Sequence, residues 1–232
     1  MQRKKEHTRI YLVRHGQVAP RWQGRIYGDM DVELSTFGEA QAQEAARRLR
    51  GIELDAVVSS GLQRAAFGAR AIAAGRTVEP EVDAGIREMN RGAWRGLTFR
   101  ELEEQSPGAW AEWFAAPRDR RAPEGESLGE LAERVLATLD RWAARHAGGA
   151  VALVSHSWPI RVSSATALGL ELEASVGLEL STGEIVVVDW PVEGRPTETR
   201  GGGVEPRLSS FSMDEPPIRS GWFQRPKDSL NR

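Results

Sequence analysis

The segment Ile10-Tyr11-Leu12-Val13-Arg14-His15-Gly16 runs from four apolar residues straight into two basic side chains and a glycine. A short, unbroken apolar run with β-branched members reads as a strand buried on both faces, the pattern of a parallel sheet. The same pattern recurs at residues 56–59, 151–154 and 185–188, and more weakly at 207–213. Helical periodicities lie between these runs. The clearest opens at Ser127, with Glu130 three residues on as a capping box, and its apolar stripe runs from Leu128 and Leu131 to Leu139 and Trp142 before Gly148. A second starts near Thr36, with Glu39 as its box partner, and ends at Gly51. A third follows Gly61 and ends at Gly75, and a fourth follows Pro159. Thr98 with Glu101 opens a short one, and 107–116 forms another. Strands alternating with helices predict an α/β fold, a three-layer α/β/α sandwich with a mainly parallel sheet.

The 232 residues carry 31 Lys plus Arg against 33 Asp plus Glu, a formal net charge of −2, and no Cys. The lack of Cys excludes a disulfide framework, thiolate zinc sites, iron–sulfur clusters and a thiol nucleophile. Near-neutrality argues against general affinity for nucleic acid or for an anionic membrane. No apolar run approaches the roughly 18 residues of a membrane span. Arg3, Lys4 and Lys5 precede an apolar stretch shorter than the roughly 7–15 residues of an export signal. Residues 1–8 are therefore expected to be a solvated lead-in, and the chain to be cytoplasmic. One domain is expected over 1–213. Within it, 76–127 shows no clear buried strand and reads as an insertion over the sheet that closes one side of a cleft. Residues 214–232 read as a flexible tail.

In open parallel sheets ligands sit beyond the carboxyl ends of the strands. Arg14-His15-Gly16 follows the first strand, Ser59-Ser60-Gly61-Leu62-Gln63-Arg64 the second, and Ser155-His156-Ser157 the third. Two histidines and two arginines thus reach one edge of one sheet. Two guanidiniums can each bind a phosphoryl group in a fork of hydrogen bonds. A neutral imidazole can attack phosphorus, and a second, charged one can steady the oxygens in flight. Gly16 would let the backbone approach the anion, and the helix start after Gly61 would offer free N–H groups.

These blocks resemble the histidine phosphatase superfamily, which includes the cofactor-dependent phosphoglycerate mutases. Arg14-His15-Gly16 is its hallmark. Matching blocks follow in order: Tyr27-Gly28-Asp29 with Asp31 and Leu34, Gly38 with Gln41-Ala42, Ser59-Ser60 through Arg64-Ala65, and Arg87-Glu88 before Gly92-Ala93-Trp94. Pro123-Glu124-Gly125-Glu126-Ser127 and Val154-Ser155-His156 ahead of Ile160-Arg161 complete the match, which spans about 9 to 190. The resemblance implies a phosphoglycerate mutase-like fold with His15 as nucleophile, passing through a phosphohistidine. It implies Arg14, Arg64 and His156 as the phosphoryl pocket and Glu88 as the general acid. It implies neither metal nor other cofactor, because the arginines and His156 would supply the positive charge. The partner expected is a small phosphate ester, and a homodimer stays open.

The chain departs from the family pattern at Gln17-Val18, Gly68, Arg95 and Ser157-Trp158, all of which could line the substrate-facing wall. Gln17, Trp22, Tyr27, Ser157 and Trp158 are the candidate substrate contacts. Several plainer readings compete. Glu88 could pair with Arg87 or another neighbour, His7 and His146 look solvent-facing, and Trp110, Trp113 and Phe114 suit packing. The expected activity is hydrolysis of a phosphate monoester. The alternative is mutase-type transfer to an organic hydroxyl, although Met89-Asn90-Arg91-Gly92-Ala93-Trp94 after the acid looks like the phosphatase branch. A non-catalytic phosphate-binding protein would be marked by loss of His15 or Glu88, and both are present. A serine hydrolase on Ser155 or Ser157 lacks the G-x-S-x-G elbow.

Overall fold

The computed structural model describes residues 6–193 and 207–210. Four strands, β1 (His7–Arg14), β2 (Ala56–Ser59), β3 (Pro80–Val82) and β4 (Ala150–Ser155), run parallel, while β5 (Ile185–Pro191) is antiparallel to β1. β6 (Arg207–Ser210) closes the far edge against β5, giving the order β3-β2-β4-β1-β5-β6. Residues 211–213 and the tail at 214–232 lie outside the described residues.

Side chains alternate across a strand, so each central strand feeds two cores. Tyr11, Val13, Val57, Ala152 and Val154 pack with Ala45 and Leu49 of α1 (Thr36–Leu49) and with Ala69 and Ile72 of α2 (Gln63–Ala73). Ile10, Leu12, Val58 and Leu153 face the other way, onto α5 (Leu128–Arg145) and α6 (Ser157–Ala167). Burial on both faces is why these strands are apolar without alternation, and the expected sandwich is what forms. None of the helices among the described residues is long and apolar enough to cross a membrane.

Several local expectations shift. Strand β1 begins at His7, and Thr8 is buried with its hydroxyl donating to Ala143 O and His146 O, so the lead-in is shorter than 1–8. The α1 cap is Ser35, whose hydroxyl accepts from Gly38 N, which removes Glu39 from a box role. Helix α6 starts two residues before Pro159, which its missing N–H allows in a first turn. His146 is half-buried, with its ring stacked on Trp142, and burial lowers its pKa. His7 is also half-buried.

Residues 76–127 open with β3, an edge strand too short and exposed to show an apolar pattern. They continue into α3 (Phe99–Gln105) and α4 (Ala109–Ala115). Leu102 and Trp113, each 1% exposed, join the same core as α5 and α6. The insertion is thus a cap fused to one face of the sandwich.

Candidate active site

Strand order places the three chemistry-bearing turns side by side, because β4 lies between β1 and β2. In register, Arg14 pairs with Ser155 and Ser59 with Val154, and His15 N donates to Ser155 O. The rings of His15 and His156 stand 5.0 Å apart between centroids.

The tautomer of His15 follows from its two contacts. Nδ1 lies 2.6 Å from Gly16 O, and a carbonyl only accepts, so Nδ1 carries the proton. Nε2 therefore holds the lone pair, and Arg64 Nε donates to it over 3.3 Å. Burial, reinforced by Arg64 and Arg14, holds the His15 pKa well below the usual imidazole range. A neutral imidazole with a directed lone pair is a nucleophile.

Arg64 is fully buried in α2. Its Nη1 donates to Met30 O and its Nη2 to Gly28 O, and Tyr27 lies under the guanidinium at 5.3 Å. Five N–H groups serve three bonds, so two stay available for an anion. Arg14 donates to Leu180 O, while its Nε is buried without a partner. His156 shares a 2.7 Å hydrogen bond between Nε2 and Ser60 Oγ, and its Nδ1 is buried without a partner. Burial, with Arg64, His15 and Arg14, also holds His156 well below the usual range.

The Glu88 carboxylate is 7% exposed. It accepts from Met89 N and Trp158 N at Oε1 and from Ser157 N at Oε2, which seats it on the N-terminus of α6. Arg87 does not pair with it, because Arg87 Nε donates to Ser60 O. From α5, Arg134 ties down the carbonyls of Gly85, Arg87 and Glu88 and bonds Glu126, so the segment carrying Glu88 is braced from beneath.

The expected substrate contacts separate. Gln17 Oε1 accepts from Ser35 Oγ beside the β1 turn, and Ser157 gives its backbone N–H to Glu88. Tyr27 supports Arg64. Trp22 donates its indole N–H to Glu33 Oε2. Trp158 is 8% exposed, packed edge-on against Trp113 and flanked by Arg91 and Arg161, so its ring belongs to the cap packing. Gly68 packs against Val154 in α2 and lines no wall.

Two glycine positions also have structural roles. A Cβ on Gly16 would stand 2.0 Å from Gly38 O, so Gly16 is required by the approach of α1. Three N–H groups leading into α2 are engaged: Gly61 N donates to Ser59 Oγ, Leu62 N to Ser60 Oγ and Gln63 N to Asp31. Sequence reasoning missed Ser60, Arg87 and Arg91 as site neighbours, although all three stood in quoted blocks. Arg91 is buried against Trp110, Trp113 and Trp158, and burial pulls its pKa down to about 10. The 178–184 loop, which closes over Arg14 and His15, carried no local signal.

A family model for the histidine phosphatase superfamily (branch 1) matches residues 10–200. A probable phosphoglycerate mutase, GpmB, of Salmonella arizonae is 32% identical over 197 residues, covering 83% of this chain and 92% of its own length. Phosphoserine phosphatase 1 of Hydrogenobacter thermophilus is 32% identical over 165 residues, covering 71% and 78%. Among solved structures, mycobacterial glucosyl-3-phosphoglycerate phosphatase superposes with a TM-score of 0.73 at 26% identity, covering 88% of this chain and 98% of that one. By this match over most of its length, and with the family's histidines and arginines gathered at one sheet edge, the chain belongs to branch 1 of the histidine phosphatase superfamily.

Proposed function

We propose that this histidine phosphatase is a metal-independent phosphomonoesterase that hydrolyses a small phosphate ester through a phosphohistidine on His15. The observation that carries the reading is the His15 tautomer, with Nδ1 bonded to Gly16 O and the Nε2 lone pair facing Arg64. The Nε2 pair attacks phosphorus as the P–O ester bond breaks, and the leaving oxygen takes a proton from Glu88. Water then attacks the phosphohistidine, gives its proton back to Glu88, and releases phosphate and neutral His15. Arg14, Arg64 and His156 bind the phosphoryl oxygens, whose charge spreads in the transition state.

Rapid quenching with a phosphate ester should trap a phosphoenzyme that survives alkali and is lost in acid, as a phosphoramidate is. His15→Ala should abolish both the trap and turnover, and EDTA should leave turnover unchanged. Phosphate found on a serine, or activity lost to EDTA and restored by a divalent cation, overturns the reading. The curated relatives named as phosphoglycerate mutases favour one second reading, in which an organic hydroxyl replaces water as acceptor. Partition of the trapped phosphoryl group between water and an added alcohol acceptor separates the two.

A further inference from the structure

Beside Glu88 the surface opens into a pocket of about 160 Å³, also lined by Asp29, Arg87, Asn90, Glu126 and Arg134. That is below the roughly 300 Å³ at which drug-sized sites begin, so it suits a group of a few carbons. Short connections join the pocket to the phosphoryl residues. Asp29 sits between Gly28 and Met30, whose carbonyls hold Arg64. Arg87 Nε donates to Ser60 O, and the Ser60 hydroxyl meets His156. Glu88 is the third wall. With Glu88 as the acid that protonates the leaving oxygen, the ester substituent lies on the Glu88 side of His15, where this space opens.

Most polar groups of the pocket are already committed. Glu126 accepts from Asn90 N and from Arg134. Arg134 spends its other bonds on backbone carbonyls. Asn90 donates to Glu124 O and accepts from Gly92 N. The Glu88 oxygens take backbone N–H groups. Asp29 differs. Its Oδ1 accepts no hydrogen bond, and Arg95 Nη1, its ion-pair partner, stands 3.6 Å away. Oδ1 is buried, the side chain as a whole is 23% exposed, and Asp29 lines the pocket with an ion pair as its sole polar side-chain contact among the described residues. A pocket wall with a carboxylate that is ion-paired but not hydrogen-bonded discriminates for donors, because a group without a donor desolvates the carboxylate and returns no bond.

We propose that Asp29 is a specificity-determining residue that selects phosphate esters whose leaving group carries a hydrogen-bond donor, hydroxyl or ammonium, within a few carbons of the ester oxygen. The inference rests on the phosphohistidine reading for its placement of the leaving group.

The test compares ethyl phosphate, glycol phosphate and ethanolamine phosphate, which share a two-carbon chain and differ in the terminal group. The readout is the ratio of kcat/KM for each donor-bearing ester to that for ethyl phosphate, so intrinsic leaving-group reactivity cancels between enzyme forms. Asp29→Ala should lower the ratio by about ten- to a hundred-fold, the range of a hydrogen bond to a charged group. Asp29→Asn, nearly isosteric and still an acceptor, should lose the preference for ethanolamine phosphate and keep much of that for glycol phosphate. A fall confined to one donor identifies that donor as the one selected. Ratios equal in wild type and Asp29→Ala, with both proteins folded by circular dichroism, overturn the proposal and leave Asp29 as a partner of Arg95 alone. Trapping the phosphoenzyme from p-nitrophenyl phosphate in the same preparations tests the underlying reading separately. Its failure with the ratios still shifted would refute the phosphohistidine and leave the selection by Asp29 standing.

Discussion

Single side chains at this site have separable duties. Arg64 both donates to His15 Nε2 and keeps N–H groups for an anion, so it meets ground state and transition state alike. Arg64→Ala should raise KM and lower kcat together, and Arg64→Lys should recover little, because an ammonium cannot span Gly28 O, Met30 O and a phosphoryl oxygen at once. A KM effect alone in steady-state kinetics would make Arg64 only a tether. Glu88 is the one site carboxylate seated on α6, since Asp83 bonds Gly85 N, Trp142 and Arg141, and Glu101 caps α3. General acid catalysis contributes about 10²–10⁴-fold and matters most for poor leaving groups. Glu88→Gln should therefore depress alkyl phosphate hydrolysis by about that factor and spare p-nitrophenyl phosphate by comparison. An equal loss on both, measured as kcat/KM, would remove Glu88 from the acid role. The departure at Arg95 also has an answer at this scale: it stands across from Asp29, a charge pair at 3.6 Å.

At the scale of elements, the site depends on how closely α1 approaches the turn after β1. A Cβ on Gly38 would lie 2.0 Å from Gln17 O, and the contact is backbone against backbone, which no side-chain rotation relieves. Gly38→Ala should push α1 off the turn that carries His15. The expected cost is about 1–3 kcal/mol of stability from overpacking. A loss near 100-fold in kcat/KM follows if His15 shifts by about 1 Å. Gly51→Ala is the control, because nothing lies within 4 Å of its Cβ position. Thermal melts and kinetics on the two variants check the contrast, and equal behaviour would show that the close approach is not needed. The helix boundaries illustrate what local chemistry conveys. The boxes Ser127/Glu130 and Thr98/Glu101 are present as read, because a cap is a contact three residues long. Helix α1 starts at Thr36 as the pattern predicts, but its cap is one residue earlier, since Ser35 and Thr36 are both good caps and only the backbone path selects Ser35.

Across the whole molecule, the site stores its electrostatics in burial. His15 and His156 both have pKa values held well below the ordinary 6.5, first by desolvation and then by the arginines. The unfolded chain therefore binds protons that the folded chain refuses once pH drops below about 6.5. Stability should be level above that pH and fall below it, by up to about 1.4 kcal/mol per pH unit for each imidazole. Melting temperatures between pH 8 and 5 should show this decline well above the range where carboxylates titrate. Inorganic phosphate, by favouring the protonated imidazoles, should flatten it. An equal Tm at pH 7 and pH 5.5 would mean that the imidazoles are not held neutral.

The amino-acid sequence by itself determined the α/β alternation, the doubly buried central strands and the delivery of Arg14, His15, Arg64 and His156 to strand ends. Each of these rests on a run of a few residues whose periodicity or order is local. Tertiary structure alone decided the partners. It seated Glu88 on the N-terminus of α6, about seventy residues away along the chain, and left Arg87 to Ser60. It packed Trp158 edge-on against Trp113, and it set Asp29 in the pocket beside Glu88. It also spent the N–H groups of Gly61, Leu62 and Gln63, leading into α2, on the protein's own side chains. Such outcomes depend on which segments the sheet order brings together, and a one-dimensional pattern does not encode that order. The order β3-β2-β4-β1 is what brings Arg14, His15, Ser60 and His156 to one sheet edge.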